Sequence, residues 1–270
     1  MTERVGEKVA GTEPEIDTTI PHSARIWNYW LGGKDNYEAD RVAGDAYVAA
    51  YPGIVDIARA GRAFLARAVR YLVEEEGVLQ FLDVGTGLPT VDNTHELAQR
   101  AHPAARIVYV DNDPLVLSHA RALLTSTPQG ATEYLDADMH DPEWILRLAA
   151  GTLDFSRPVA LMLMGVLGHV NDDDEAAGVV EGLMAGLPPG SFLALYDSLD
   201  VDASLNEAQQ DYDDTGAVPY KLRSRRAIER FFGGLELVEP GLVPCLRWRP
   251  EVDFGDIPDV PTLAGIARKP

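Results

Sequence analysis

From Leu79 onward the hydrophobic positions fall into short runs separated by longer stretches of mixed character. The runs Gln80–Val84, Arg106–Asp111, Thr132–Ala137, Pro158–Met164 and Ser191–Tyr196 are of strand length. Between them, Asn93–Ala101, Pro114–Thr125, Pro142–Ala150 and Asp173–Leu187 read as helices. Such alternation predicts an α/β fold, a parallel sheet with helices on both faces. After Asp197 the rhythm loosens. Asp200–Tyr220 is polar and a helix follows near Ser224–Phe232; the segment Asp200–Arg226 reads either as an insertion lying over the crevice at the sheet's carboxyl edge or as a solvated loop. The apolar stretches Leu235–Val243 and Thr262–Ala267 predict an antiparallel pair closing the sheet edge, which brings the expected strands to seven.

The first third of the chain has a different pattern. Residues 1–19 are polar, mixed in charge and aperiodic, and are expected to form a mobile tail. Ser23 is a candidate N-cap for a short helix over Ala24–Leu31, and Gly32-Gly33 ends it. Helices over Glu38–Tyr51 and Val55–Glu76 flank a break at Pro52-Gly53. The expected organisation is therefore a tail (1–19), a helical cap (20–77) and a Rossmann-like domain (78–270).

Composition narrows the function. The net charge is −20, from 43 acidic and 23 basic residues, which opposes a phosphate backbone and makes nucleic acid a poor partner. No apolar run is long enough to span a bilayer, and the first residues lack the apolar core of a signal peptide. The single cysteine, Cys245, excludes an intrachain disulfide and a cysteine-clustered metal site. A small-molecule partner and a reducing cytoplasm are the expectation.

The chemistry concentrates where Leu79-Gln80-Phe81-Leu82-Asp83-Val84 gives way to Gly85-Thr86-Gly87. This is either an ordinary strand-to-helix turn or a nucleotide site, since glycines lack a Cβ and admit a ligand to the backbone. In a parallel sheet the strand ends converge on one crevice. Here they carry Asp83, Asp111, Asp138 and the segment Met164-Gly165-Val166. Asp111 lies 24 residues after Gly87, close to the spacing of a ribose-binding carboxylate. A carboxylate accepts from both hydroxyls of a vicinal diol. Asp113, just before Pro114, reads instead as a helix cap. Asp138 is placed to accept from an adenine amino group while the Met139 amide meets a ring nitrogen.

Two cofactors compete for such a crevice. A dinucleotide motif needs a third glycine, and this chain reads Gly85-Thr86-Gly87-Leu88-Pro89-Thr90. Asp83 would repel a pyrophosphate and would attract the ammonium of a methionine moiety. The electrostatics favour S-adenosylmethionine.

The sequence accordingly resembles a class I S-adenosylmethionine-dependent methyltransferase. Phe81–Gly87 is similar to that superfamily's first motif, Val108–Pro114 to its second and Leu135–Asp138 to its third. Ala24-Arg25-Ile26-Trp27-Asn28-Tyr29-Trp30-Leu31-Gly32-Gly33-Lys34-Asp35-Asn36-Tyr37 resembles the N-terminal signature of the actinobacterial DUF574 family, and Glu239–Val243 with Trp248-Arg249-Pro250 its C-terminal part. The family often has an acidic residue at Asn28 and an aliphatic one at Trp30. It would also place a histidine directly after Leu167, where Gly168 stands and His169 follows.

The resemblance implies a mostly parallel seven-stranded Rossmann-like methyltransferase fold and a donor site. The expected donor-binding set is Asn28, Tyr29, Lys34, Asn36, Asp83, Gly85, Thr86, Gly87, Asp111, Asn112, Asp138, Met139, Met164 and Gly165. Lys34 is expected to pair with the methionine carboxylate, with Arg25 as the alternative. Trp27 and Trp30 are expected to pack. For a base, His169, Tyr196 and Asp197 are candidates, His169 for its near-neutral pKa. Asn206, Tyr212, Tyr220 and the group Arg223, Arg225, Arg226 are candidate acceptor contacts or solvated positions. The expected function is methylation of a small molecule, in secondary metabolism. The alternatives are a donor-binding sensor without turnover and an NAD-dependent oxidoreductase.

Overall fold

The computed structural model describes residues 17–90, 92–116, 118, 125–251 and 259–270. Most of the expected tail and of the helix Pro114–Thr125 lies outside them; residues 114–116 are helical.

Five parallel strands, β1 (Gln80–Val84), β2 (Arg106–Asp111), β3 (Ala131–Asp136), β4 (Ala160–Met164) and β5 (Phe192–Ser198), form the body of one sheet. The short β6 (Glu236–Leu237) and β7 (Thr262–Arg268) complete it in the order β3-β2-β1-β4-β5-β7-β6. β7 runs antiparallel to both its neighbours, so the edge closes as a hairpin does. β1, β4 and β5 are buried, or nearly so, along their whole length, which is why their sequences are continuous apolar runs rather than alternating ones. The order of connection reverses between β1 and β4, leaving a crevice beyond their carboxyl ends.

Eight α-helices are described: α1 (Ser23–Trp30), α2 (Glu38–Ala50), α3 (Ile54–Glu74), α4 (Thr94–Ala101), α5 (Pro142–Ala149), α6 (Asp173–Ala185), α7 (Ala203–Asp213) and α8 (Arg225–Arg230). α3 carries Ile57, Ala58, Gly61, Phe64, Leu65, Ala68 and Leu72 at helical spacing, and all are buried. Its lower face shares one apolar cluster with Phe81, Ile107, Met162 and Trp248, so α3 is part of the sheet's own core. Burying each large side chain of this kind contributes about 1.5–3 kcal/mol. Phe64 is fully buried with its ring edge-on to Trp248 at 5.4 Å, and its truncation to alanine would cost about 3–5 kcal/mol.

Three sequence expectations are corrected. α1 is capped by His22, not Ser23: the His22 Nδ1 accepts from the Ala24 amide at 3.3 Å. Residues 17–20 are tied to α1, because the Arg25 guanidinium donates to the carbonyls of Asp17 and Ile20. The polar stretch after β5 contains the helix α7. Its signals were present: Asp202 accepts from the amides of Ser204 and Leu205, and Leu205, Ala208, Gln209 and Tyr212 form a buried face. No helix among the described residues is long and apolar enough to cross a membrane.

Candidate functional site

A cavity of about 370 Å³ opens at the β1/β4 crevice, within the roughly 300–1,000 Å³ usual for small-molecule sites. Its floor is the turn after β1. Gly85 and Gly87 both hold positive φ, at 71° and 64°, which side-chain-bearing residues rarely adopt. Their roles differ. A Cβ on Gly85 would sit 2.0 Å from Val166 Cγ2, so its missing side chain makes room for the loop after β4. A Cβ on Gly87 would meet nothing nearer than Ala24 at 4.0 Å. Gly87 is the glycine that leaves its backbone open to the cavity.

Asp83, Asp111 and Asp138 all line this space, together with Thr86, Asn112, Met139, Met164 and Gly165. Asp83 is buried and accepts from Thr94 Oγ1 at 2.6 Å. Burial pushes its carboxyl from 3.8 to about 6, opposed by the Thr94 bond and the Arg62 charge. It is still ionised for the most part at neutral pH. Asp111 accepts from the Gly87 amide at 2.9 Å and the Asp113 amide at 3.0 Å, so it fastens the glycine turn to β2. Its carboxyl is also raised, through desolvation, against those two bonds. Each oxygen keeps a lone pair beyond these contacts. Asp113 caps the following helix through the Leu115 amide at 2.8 Å. Asp138 is more exposed; desolvation raises its carboxyl, but the His140 amide and ring outweigh this and hold it below the ordinary value.

The N-terminal segment divides. Asn28 lines the cavity, and its Oδ1 accepts from the Asp35 amide at 3.0 Å and from Asn36 Nδ2 at 3.3 Å. A Cβ on Gly33 would lie 2.3 Å from the Asn28 amide, so the glycine is needed for this tuck. Tyr29, Lys34 and Asn36 are not among the lining residues. The Tyr29 hydroxyl donates to Asp45 at 2.8 Å, Asn36 is spent on the turn through the Gly33 carbonyl and Arg41, and Lys34 is exposed. Arg25 is buried against Asp40 at 2.9 Å, away from the cavity. The lysine or arginine that does line it, alone in that respect among the described residues, is Arg62 of α3. Its Nη2 donates to the Asp92 carbonyl at 2.8 Å. One arginine on an amphipathic helix carries no sequence signal that separates it from a surface position.

The far side of the cavity is built by helices. Trp27, Trp30, Tyr47, Leu205 and Tyr212 line it and belong to one apolar cluster, so Trp27 and Trp30 both pack and face the space. Tyr220 and His169 lie between the two sides, with rings edge-on at 5.2 Å. The Pro219 carbonyl can only accept, so His169 Nδ1 carries the proton in their 3.0 Å bond, and a neutral ring keeps Nε2 as a base. Burial lowers the His169 pKa, favouring that neutral form. Gly168 is explained by the same contact: a Cβ there would fall 2.2 Å from the Tyr220 ring.

Asp197 is not available as a base. Its buried carboxylate accepts from Arg223 Nη1 at 3.1 Å, Tyr220 Oη at 2.8 Å and the Ser198 amide at 2.9 Å. Arg223 also donates to the Leu167 carbonyl at 2.8 Å and to the Val170 carbonyl, fastening the His169 turn to β5. Arg223 is thus a buried clamp rather than an acceptor contact, while Arg225 pairs with Glu229 at 2.8 Å and Arg226 is exposed. Asn206 does not line the cavity and donates to the Asp200 carbonyl at 3.0 Å. Tyr196 lines the space with its ring, and Gly61 and Gly165 leave room for it: Cβ atoms there would approach it to 2.6 and 2.9 Å.

Comparison with known proteins gives one family. The family model described as S-adenosyl methyltransferase matches residues 9–270. A crystal structure of a DUF574 family protein from Streptomyces avermitilis MA-4680 is 44% identical, with a TM-score of 0.90 over 95% of this chain and 100% of that one. A second, from Thermobifida fusca YX and described as a candidate methyltransferase, is 42% identical, with a TM-score of 0.86 over 94% of this chain and 96% of that one. No protein of curated function matches.

Proposed function

The chain belongs to the S-adenosyl methyltransferase family, and we propose that it transfers the methyl group of S-adenosylmethionine to a small molecule in the cytoplasm, with the donor lying across the ends of β1, β2 and β3. The bound donor supplies a methyl group on a positively charged sulfur, with a neutral thioether as leaving group. The observation that carries the placement is the convergence of Asp83, Asp111 and Asp138 on one cavity over an open Gly87. Asp111 takes the ribose hydroxyls, and its two backbone bonds hold it in register for that task. Asp83 takes the ammonium of the amino-acid end, and Arg62 beside it takes the carboxylate, the assignment that Lys34 and Arg25 do not support. Asp138 and Met139 receive the adenine edge, and Asn28 closes the site from α1.

The protein's own contribution to rate is alignment, which alone can remove much of the barrier. His169 Nε2 receives the proton of an acceptor whose nucleophile must lose one. A nucleic-acid acceptor is opposed by the net charge of −20. Titration with S-adenosylhomocysteine by calorimetry tests the donor site. Saturable binding that Asp111→Ala weakens is expected; folded protein that binds neither S-adenosylhomocysteine nor S-adenosylmethionine would refute it.

A further inference from the structure

The two sides of the cavity differ in chemistry. The carboxylates that line it belong to strand ends and the loops after them, and Arg62 stands next to Asp83. On the opposite side, α1, α2, α7 and the 217–222 segment contribute no Asp, Glu, Lys or Arg to the lining among the described residues. They contribute rings. Trp27, Trp30, Tyr47 and Tyr212 form an unbroken edge-to-face series with centroids 5.7, 5.3 and 5.8 Å apart, and all four line the cavity. Several polar side chains on this wall are already paired, Trp30 Nε1 with the Gly44 carbonyl at 3.3 Å among them. The Tyr47 hydroxyl donates to Gln209 Oε1 at 3.0 Å, and Gln209 Nε2 donates to Asp213 at 2.8 Å. His169, with its ring edge-on to Tyr220, presents a basic nitrogen between this wall and the strand ends, while the two other histidines lining the cavity among the described residues, His22 and His140, stand against Asp113 and Asp138.

We propose that the acceptor is a planar aromatic compound without an anionic group and carrying a hydroxyl, seated against the Trp27–Trp30–Tyr47–Tyr212 series with that hydroxyl directed to His169. The inference rests on the donor site proposed above. Rings edge-on to one another present faces and edges that suit a further aromatic ring. An anionic group on this wall would lose its water and find no lysine or arginine there, while the Asp213 carboxylate behind Gln209 adds repulsion, a cost that selects against anionic acceptors. A hydroxyl directed at Nε2 completes the transfer. Its oxygen forms the bond to the methyl carbon, the C–S bond breaks with its electron pair passing to sulfur, and the hydroxyl proton passes to His169.

The test uses the full chain loaded with S-adenosylhomocysteine and two matched probes, 2-naphthol and its carboxylated relative 6-hydroxy-2-naphthoate. Calorimetry is expected to show 2-naphthol binding at least about tenfold more tightly, the discrimination expected of a wall that offers an anion no partner. Val218→Asp places a carboxylate in the lining at an exposed position that tolerates it. It should weaken 2-naphthol by about tenfold while S-adenosylhomocysteine affinity stays within about twofold. The proposal is overturned if loaded protein binds neither probe, if the naphthoate binds as tightly as the naphthol, or if Val218→Asp leaves naphthol affinity unchanged. Failure of S-adenosylhomocysteine to bind at all removes the donor site, and this inference with it, so the two failures are told apart by the first titration.

Discussion

Asp83 offers a quantitative test of the donor's amino-acid end. Its carboxyl is carried from 3.8 to about 6 because burial removes water from the charged form. That displacement corresponds to about 3 kcal/mol set against the ionised carboxylate at neutral pH. The sign follows from which state holds the proton more tightly. Folded Asp83 holds it more tightly than the unfolded chain, so its favourable contribution is complete below about pH 4 and is lost as pH rises through 6. Asp83→Asn without ligand should therefore gain stability relative to the parent between pH 4 and 7. The gain approaches 2–3 kcal/mol, about 1 kcal/mol of it offset by weakening of the Thr94 bond. Binding must do the opposite. An ammonium within hydrogen-bonding distance lowers a carboxyl by roughly 1–3 pH units, so Asp83 ionises when the donor enters. At pH 6, where it is half protonated, about half a proton should be released per S-adenosylhomocysteine bound. Calorimetric titrations in two buffers of different ionisation enthalpy measure this directly. Release should vanish at pH 8 and in Asp83→Asn. Equal heats in both buffers at pH 6, or an undiminished release from Asp83→Asn, would refute the pairing of Asp83 with the ammonium.

Three further outcomes follow from the same geometry. Asp111→Ala should raise the Kd for S-adenosylhomocysteine by about ten- to a hundredfold, since each hydrogen bond to a charged group contributes about 1.5–3 kcal/mol; unchanged affinity, with circular dichroism confirming the fold, would remove the ribose assignment. Gly168→Ala puts a Cβ 2.2 Å from the Tyr220 ring, and should cost about 1–3 kcal/mol in urea unfolding and disturb the His169 turn; a variant as stable as the parent would show that the packing yields freely. Arg223→Met leaves Asp197 buried without its cation, a loss of about 3–5 kcal/mol, part of which Asp197→Asn in the same chain should recover; a loss below about 1 kcal/mol would mean that Asp197 takes its proton and the clamp is dispensable.

The strands β1, β2, β4 and β5 were legible because burial on both faces writes itself as apolar runs, whereas β3, half-buried at the sheet edge, shows in the sequence only through its place in the alternation. The spacing from Gly87 to Asp111 survives as an actual bond, the Gly87 amide to the Asp111 carboxylate at 2.9 Å. Register along a helix was less legible. Asn28 and Tyr29 are neighbours in sequence, yet one lines the cavity and the other bonds Asp45 outside it, because successive residues of a helix point about 100° apart. Lys34 and Asn36 sit beside a glycine turn whose direction only the tuck of Asn28 under Gly33 decides. Arg62 carries no reading in the sequence, and Arg223 reads there as an acceptor contact or a solvated position. Surface is the usual place for arginine, and what draws these two inward is a partner remote in sequence: Asp92 for one, Asp197 for the other.

The position of α3 explains how the two halves of the cavity stay in register. Its Phe64 and Leu72 are embedded in the sheet's apolar cluster, while Ile57, Gly61, Arg62 and Leu65 line the cavity from the same helix. Gly61 is what allows this: Tyr196, at the end of β5, lies where its Cβ would be, and also where the Cβ of Gly165 would be. One ring therefore fixes α3, the loop after β4 and the end of β5 against each other. On the other side of that ring, Asp197 points away from the cavity and, through Arg223, holds the turn that carries His169. Consecutive residues of β5 face opposite sides of the sheet. The pair Tyr196-Asp197 uses that alternation to couple the helical wall to the turn that carries His169 without placing the Asp197 carboxylate in the cavity. A larger residue at Gly61 or Gly165 would displace Tyr196 and shift both walls together, so the shape of the cavity depends on packing that no cavity-lining polar residue reveals.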